Sequence, residues 1–365
     1  MRSGSDWAGL GGALTTMTDA SQGIPFHRRE MRALLRDTSR SFYLTLRVLP
    51  SGVQEPIGLA YLLARTTDTV ADTGLVPVAE RLEALDTLRD RILGRRADPC
   101  DFSRIAAAQS GDASDAERRL LLRTEPALRL LETLTPEDRS EVRDVLETIT
   151  GGQVLDLTRF GGQARGVRAL ESDAELDDYT YRVAGCVGEF WTRLTRRHCF
   201  PEASLGESEF LADGIRLGHG LQLVNILRDL PKDLLAGRCY LPRSGLAAVG
   251  LTPEALLEPS SEPRLRPLYQ AWWDRAMEHL AAGWRYTNTI PRAQSRLRLA
   301  CAWPVLLGVR TLAKLRSGPV LDPSVRLKVS RAEVRQVLIG SLMRLPFRRR
   351  WESQFESACR FQTGI

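Results

Sequence analysis

The sequence of 365 residues has no uninterrupted apolar run long enough to cross a lipid bilayer. The longest apolar stretch, 300–315, is broken by Pro304, Arg310 and Lys314. The first residues also lack the charged start and apolar centre of a secretory signal peptide. We therefore expect a protein that does not span a membrane, and the cytoplasm is the favoured location.

Cysteine and histidine are scarce and scattered. The six cysteines form no Cys-x-x-Cys pair, and without a secretory signal they are expected to remain reduced thiols. The four histidines show no spacing suited to a shared metal ion. A metal site built on histidine or cysteine is therefore not expected.

The sequence also lacks the alternation of apolar and polar residues that marks half-buried β-strands, and it contains no internal repeat. Apolar residues instead recur at helical spacing across 26–335, and a hydrophobic content of 43% is sufficient for a large core. The preceding residues 1–25 are rich in Gly, Ser and Thr and are expected to be disordered. We predict an all-α protein with a single helical domain over 26–335.

The net charge of +6 includes many arginines and fits phosphate-rich ligands or an anionic membrane surface. A genome with a high GC content would produce the same preference for arginine over lysine. Because no basic helix carries interleaved aromatic residues, nucleic acid is not an expected partner.

The segment 218–241 places an oxygen-rich row inside an otherwise apolar helical pattern. Asn225, Asp229 and Asp233 are four residues apart, so on a helix they project from one face. Pro231 has no backbone N–H and its ring crowds the preceding turn, so a kink or a stop is expected there. Taken alone, such a row is explained equally well by a solvated surface.

A second acidic row lies upstream on 56–73, where Asp68 and Asp72 are again four residues apart and Arg65 stands one turn earlier. Like charges at this spacing repel, and burying both without a cation costs far more. Two such rows on core-type helices favour a divalent-metal site over two solvated faces. Carboxylate oxygens suit Mg²⁺, which keeps waters and shares the phosphates of its substrates.

Ser39, Arg40 and Ser41 place two hydroxyls beside a guanidinium, immediately before Phe42. A guanidinium forks onto phosphate oxygens and serine adds further donors, so the group is a candidate phosphate pocket. Capping of a helix explains the same residues equally well.

The C-terminal residues 336–365 form a basic amphipathic tail. Its large apolar side chains, among them Ile339, Leu342, Met343 and Phe347, stand between clustered arginines. Two interpretations are open. The tail either lies on the inner surface of a membrane as a peripheral element, or it is a terminal helix docked on the core.

Four motifs occur in chain order: SRSF at 39–42, YLLARTTDTVAD at 61–72, YTYRVAGCVG at 179–188, and QLVNILRDLPKD at 222–233 followed by GRCYLP. Together they resemble the squalene/phytoene synthase family over 32–335. Within the family, the segments SRSFYLTLRVLP, CAWP and LKVSR are most similar to those of bacterial squalene synthases. The resemblance implies an isoprenoid-synthase helical bundle around a central apolar cavity.

The resemblance also implies a Mg²⁺-dependent prenyltransferase that joins two farnesyl diphosphates head to head through presqualene diphosphate and reduces the product to squalene with NADPH. It implies Mg²⁺ ligands at Asp68, Asp72, Asn225, Asp229 and Asp233, with the four aspartates and Tyr179 acting in catalysis. It implies substrate contacts at Ser39, Arg40, Ser41, Phe42, Tyr61, Arg65, Gln222, Asn225, Arg228 and Arg238. Lys328 and Arg331 are the residues expected to contact NADPH.

Two alternatives remain open for the function. The chain could be a phytoene, dehydrosqualene or presqualene diphosphate synthase, which keeps the fold and the substrate but omits the reduction. It could also be a non-catalytic helical protein of the membrane surface. For the oligomeric state, a monomer is favoured.

Overall fold

In the computed structural model, the segments whose apolar residues recur at helical spacing are helices. The structure describes residues 23–38, 42–109, 114–161 and 166–360. The helices of the first half are α1 (Gly23–Thr38), α2 (Phe42–Val48), α3 (Ser51–Asp72), α4 (Val78–Ile92), α5 (Ser103–Ala107), α6 (Ser114–Leu122), α7 (Thr124–Glu132), α8 (Pro136–Phe160) and α9 (Asp173–Thr180). Those of the second half are α10 (Cys186–Cys199), α11 (Glu207–Leu235), α12 (Arg243–Ala248), α13 (Glu262–Thr289), α14 (Ser295–Ser317), α15 (Arg331–Arg344), α16 (Arg348–Glu352) and α17 (Gln354–Arg360). The predicted all-α class is confirmed.

The longest helices build two hydrophobic clusters. One is centred on α3, which packs against α8 and buries Leu59, Leu62 and Leu63. The other lies between α11, α13 and α14, where Trp272 and Trp273 are buried. Each fully buried leucine contributes about 1.5–3 kcal/mol to the stability of the folded protein. Interfaces of this kind therefore stabilise the helices that border the cavity.

Of the kink or stop expected at Pro231, the stop is wrong, because α11 continues to Leu235. A proline leaves the carbonyl four residues earlier without its usual helical donor. Here that carbonyl belongs to Leu227, and the hydroxyl of buried Tyr269 donates to it at 3.0 Å. The side chain from α13 replaces the missing N–H, so the acidic row stays on one helix through Asp233.

Two short strands were not expected from the sequence. β1 (Arg168–Ala169) pairs in parallel with β2 (Arg238–Cys239), with Arg168 opposite Arg238. The chain leaves α11 through Gly237, whose φ of +76° lies in the left-handed region that favours glycine. The amide of Arg168 donates to the carbonyl of Gly237 at 2.9 Å, and this contact fixes the backbone at Arg238.

Glycines bring α11 into backbone contact with α10 and with the residues just before α10. A Cβ on Gly188 would lie 2.0 Å from the carbonyl oxygen of Gly214, and one on Gly218 would lie 2.1 Å from that of Ala184. Between α9 and α10, Tyr181–Gly185 form one turn of π-helix, which changes the register of the side chains that follow. The small residues in this motif therefore serve close helix packing.

The C-terminal segment packs on the helical body. Trp351 is buried, its ring stacks on Trp284 at 5.6 Å, and its indole N–H donates to Asn288 Oδ1 at 2.8 Å. The predicted domain boundary at residue 335 falls within α15, and α17 contacts α14. Of the predicted N-terminal tail, residues 1–22 lie outside the described residues. Across the described ranges, no helix is long and apolar enough to cross a membrane.

Candidate active site

A cavity of about 1070 Å³ opens between α3, α8, the π-turn, α11 and β2. Eleven of the residues singled out in the sequence line it: Tyr61, Arg65, Asp68, Asp72, Tyr179, Gln222, Asn225, Arg228, Asp229, Asp233 and Arg238. The two acidic rows, some 150 residues apart in sequence, therefore face the same space. The expected apolar cavity is in fact mixed, because these charged side chains share the lining with residues such as Ile149, Val183 and Val187.

In the row on α3, Asp68 pairs with Arg65, and the same arginine also pairs with an acidic residue of a neighbouring helix. Arg65 Nη1 donates to Asp68 Oδ2 at 2.5 Å, and its Nη2 donates to Glu117 Oε1 on α6 at 2.6 Å. Burial raises the pKa of Asp68 to about 6, and repulsion from Asp72 adds to the rise, while Arg65 opposes it. The carboxylates of this row are therefore only partly compensated by protein cations.

On α11, two of the carboxylates have an arginine each. Arg228 Nε and Nη2 donate to the two carboxylate oxygens of Asp229 at 2.9 and 2.5 Å. Arg238 Nη2 donates to Asp233 Oδ1 at 3.2 Å. Burial raises the pKa of Asp233, and Arg238 opposes that rise. These arginines therefore offset the negative charge of the α11 carboxylates, and they can also contact an anion in the cavity.

The donors in the cavity fit Mg²⁺ that is shared with a phosphate-bearing ligand. The two rows supply oxygens from four aspartates and Asn225, and carboxylate and amide oxygens are hard ligands. Within the described ranges, no three acidic, histidine or cysteine residues lie close enough to hold a metal ion by themselves. This arrangement suits Mg²⁺, which commonly takes one or two carboxylates and completes its shell with water and substrate phosphates.

Several arginine nitrogens of the lining have no partner within the part of the chain that the structure describes. The buried Nε atoms of Arg65, Arg81 and Arg238 all lack a hydrogen-bond acceptor. A buried donor without an acceptor costs about 1–3 kcal/mol, so these three arginines beside the cavity are incompletely satisfied in the absence of a ligand. Together with Arg228 and Lys232, they make this end of the cavity suitable for a diphosphate.

An aromatic and acidic group lies beside Arg238 in the same cavity, and two of its members, Asp156 and Tyr240, were not predicted from the sequence. The ring of Tyr179 stacks on that of Tyr240 with 4.6 Å between centroids, and the Tyr240 hydroxyl donates to Asp156 Oδ1 at 3.0 Å. Burial raises the pKa of Asp156 to about 6, although Tyr240 and Arg238 lower it. Burial also raises the pKa of Tyr179, so its hydroxyl is neutral at pH 7.

Two signals for this group were present in the sequence. Asp156 is a single acid inside the apolar period of 154–157, just after the glycine pair at 151–152, and Tyr240 belongs to GRCYLP. Arg81 gave no such signal, because it occupies what reads as an ordinary amphipathic helix.

Of the remaining sequence candidates, Lys328 and Arg331 are the two whose side chains the structure describes. Ser39, Arg40 and Ser41 lie outside the described residues, and of Phe42 the structure describes only that it begins α2. Lys328 and Arg331 are exposed at the start of α15 and are absent from the cavity lining. The predicted NADPH contacts therefore remain a prediction.

Comparison with known proteins agrees with this geometry. A family model described as squalene/phytoene synthase matches residues 35–333. A presqualene diphosphate synthase of Zymomonas mobilis is 31% identical over 258 residues, covering 70% of this chain and 73% of the relative. A squalene synthase of Schizosaccharomyces pombe is 23% identical, and the match covers 88% of this chain and 66% of that protein.

The fold is also similar to that of a solved structure. The protein TcSQS, determined with a ligand, superposes with a TM-score of 0.71 at 21% identity, over 92% of this chain and 98% of that one. At this identity the likeness concerns the fold, and it supports the predicted isoprenoid-synthase bundle.

Proposed function

The chain belongs to the squalene/phytoene synthase family, and we propose that it is a squalene synthase. The family assignment also makes it a prenyltransferase-type enzyme of isoprenoid biosynthesis. It would join two farnesyl diphosphates head to head into presqualene diphosphate and convert this intermediate to squalene with NADPH. The observation that carries the proposal is the meeting of both acidic rows and their arginines in one cavity. A non-catalytic role at the membrane surface does not fit the family assignment.

The charged end of the cavity would bind the diphosphate groups. Arg65, Arg228 and Arg238 would donate to phosphate oxygens, and the last two could do so without leaving their carboxylates, because a guanidinium has five donors. Asp68, Asp72, Asn225, Asp229 and Asp233 would hold Mg²⁺. When bound, Mg²⁺ supplies positive charge that offsets the charge growing on the departing diphosphate.

The apolar part of the lining would hold the prenyl chains. In the first step, the carbon–oxygen bond of one farnesyl diphosphate breaks, the diphosphate leaves with the electron pair, and an allylic cation remains. The double bond of the second chain attacks this cation, and loss of one proton closes the cyclopropane ring of presqualene diphosphate. Ile149, Val183 and Val187 line the cavity and would keep water from the cation.

Two aromatic residues of the lining would act near the cation. Tyr61 lines the cavity, and the face of its ring would stabilise a positive charge placed against it. Tyr179 keeps a neutral hydroxyl, which can orient toward the cation or receive the departing proton as it passes one on. Asp156 holds Tyr240 by a hydrogen bond, and Tyr240 in turn supports the Tyr179 ring by stacking.

A second candidate is a presqualene diphosphate synthase that omits the reduction. The similarity to the relative of that name in Zymomonas mobilis favours it. The condensation step and its site are the same in both candidates.

Product analysis separates these functions. The purified protein is incubated with farnesyl diphosphate and Mg²⁺, with and without NADPH, and the lipid products are identified by mass spectrometry beside an Asp229→Asn control. Squalene that forms only with NADPH is the expected result. Presqualene diphosphate or dehydrosqualene that is unchanged by NADPH would favour the candidate without reduction. An absence of any prenyl product would contradict both candidates.

A further inference from the structure

The segment 335–350, hereafter the 335–350 surface, concentrates exposed apolar side chains. Four of the nine exposed large hydrophobic residues in the described part of the chain lie there: Ile339, Leu342, Met343 and Phe347. The first three follow helical spacing on α15, so they share one face, and Met343 is 71% exposed. Clustering of this kind is unlike the scattered apolar residues of an ordinary surface.

The apolar face is not the one that docks α15 on the protein. Val337 and Ser341 are buried on the opposite side, and α15 contacts α14. Further along, Trp351 anchors α16 on the core. The helix is therefore fixed in place by its inner face, and its outer face is left for an additional partner.

The charge around this face identifies the partner. Between residues 335 and 350 there are five arginines and no acidic residue. Arg344, Arg349 and Arg350 are exposed, and Arg350 lies 5.1 Å from the centre of the Phe347 ring. A second copy of the chain docked symmetrically on this face would bring arginine against arginine, which is unfavourable.

We propose that the 335–350 surface binds anionic lipid bilayers, with its apolar face in the boundary between headgroups and acyl chains and its arginines on lipid phosphates. Such a geometry is that of an amphipathic helix lying in the membrane interface. Each arginine near an anionic surface strengthens binding about fivefold, and the apolar side chains add to this. The proposal does not depend on which reaction the enzyme catalyses.

Sedimentation of the full chain with vesicles tests the proposal. One set of vesicles contains phosphatidylcholine alone, and the other contains phosphatidylcholine mixed with phosphatidylglycerol. The expected result is binding to the anionic set that weakens with salt, and little binding to the neutral set. No binding to anionic vesicles at low salt would overturn the proposal.

Two double variants and their controls locate the contact. Leu342→Ser with Met343→Ser should weaken binding at least about tenfold, and Arg344→Glu with Arg349→Glu at least about twentyfold. Leu122→Ser and Arg129→Glu change exposed residues on other helices and should bind as the wild type does. Wild-type binding in both double variants would overturn the proposal.

Sedimentation velocity without vesicles measures whether the protein associates with itself instead. A dimer that the apolar double variant abolishes, together with no vesicle binding by the wild type, would assign the 335–350 surface to self-association instead. Circular dichroism and thermal unfolding of each variant show whether it remains folded, and because all the substituted residues are exposed, unchanged melting is expected.

Discussion

The two acidic rows follow the same four-residue spacing but are balanced differently. On α11, Asp229 and Asp233 each pair with an arginine, at 2.5 and 3.2 Å. On α3, Asp68 shares Arg65 with Glu117 and is also repelled by Asp72. The α11 row is therefore largely compensated before any ligand enters, whereas the α3 row retains negative charge that a metal ion can relieve.

The two rows are also held differently. The helix α11, which carries the second row, is in backbone contact with α10 through Gly188 and with the π-turn through Gly218. α3 packs on α8 through ordinary aliphatic side chains such as Leu59 and Leu63. We infer that the α11 side of the cavity is held rigidly and that its carboxylates already pair with arginines. The α3 side remains negatively charged, so Mg²⁺ is most needed there.

The largest expected effect removes one carboxylate from either row. Asp68→Asn and Asp229→Asn should each reduce diphosphate release from farnesyl diphosphate at least about 100-fold, because charge stabilisation in the transition state is lost. Glu117→Gln is the matched control, since Glu117 also binds Arg65 but does not line the cavity, and it should retain most of the activity. Equal losses in Asp68→Asn and Glu117→Gln would assign the effect to Arg65 alone.

A smaller loss is expected when the α11 row loses Arg238, its arginine partner from β2. Arg238→Gln should raise the KM for farnesyl diphosphate about 10-fold or more, since a hydrogen bond to a charged group contributes about 1.5–3 kcal/mol. Arg243→Gln changes an exposed arginine that pairs with Glu171, and steady-state kinetics should show little change. An unchanged KM in Arg238→Gln would exclude this arginine from diphosphate binding.

The packing difference is tested by Gly188→Ala. The added methyl group would overlap the carbonyl of Gly214, so α10 and α11 must separate, and the free energy of unfolding should fall by about 1–3 kcal/mol. Gly74→Ala is the control, because its added methyl group meets no atom within 4 Å. Chemical denaturation measures both variants, and equal stability would show that the helix contact can relax.

The smallest effects are changes in the stability of the ligand-free protein, and two substitutions should change that stability in opposite directions. Asp229→Asn weakens a partly exposed ion pair and should reduce stability by no more than about 1 kcal/mol. Asp68→Asn should instead raise the melting temperature at pH 8. The folded-state pKa of Asp68, about 6, exceeds its ordinary value of 3.8, so the wild type loses stability as pH rises from about 4 through 6.

The advantage of Asp68→Asn should therefore be present at pH 8, shrink as the pH falls through 6, and disappear below about pH 3, where the aspartate is protonated in both the folded and the unfolded chain. Melting temperatures across this range, measured without Mg²⁺, provide the test. A pH-independent difference between Asp68→Asn and the wild type would contradict the assigned cause.

Much of the site follows from helix geometry and could be predicted. Spacing of four residues places Asp68 beside Asp72 and Asn225 beside Asp229, and the structure puts all four on one cavity. Helix capping is equally local, since Thr135, directly before Pro136 at the start of α8, accepts from the amide of Asp138 at 3.2 Å. These features depend on local sequence, so no knowledge of the fold is needed.

Other features depend on contacts between distant segments. The helix continues through Pro231 because Tyr269 supplies a donor from another helix. Arg81 reaches the cavity only because α4 folds back beside α3, and its Nη1 donates to the carbonyl of Ala71 at 2.6 Å. Asp156 gains its role from Tyr240, which lies 84 residues later in the chain. No local pattern specifies such pairings.

The central claim is that both rows act together on one metal–diphosphate group. Isothermal titration of an unreactive farnesyl diphosphate analogue, with and without Mg²⁺, into the wild type, Asp68→Asn and Asp229→Asn tests it most directly. We predict tight binding only by the wild type with Mg²⁺, and strong weakening in both variants. Binding that is independent of Mg²⁺, or that survives in Asp68→Asn, would contradict the shared site.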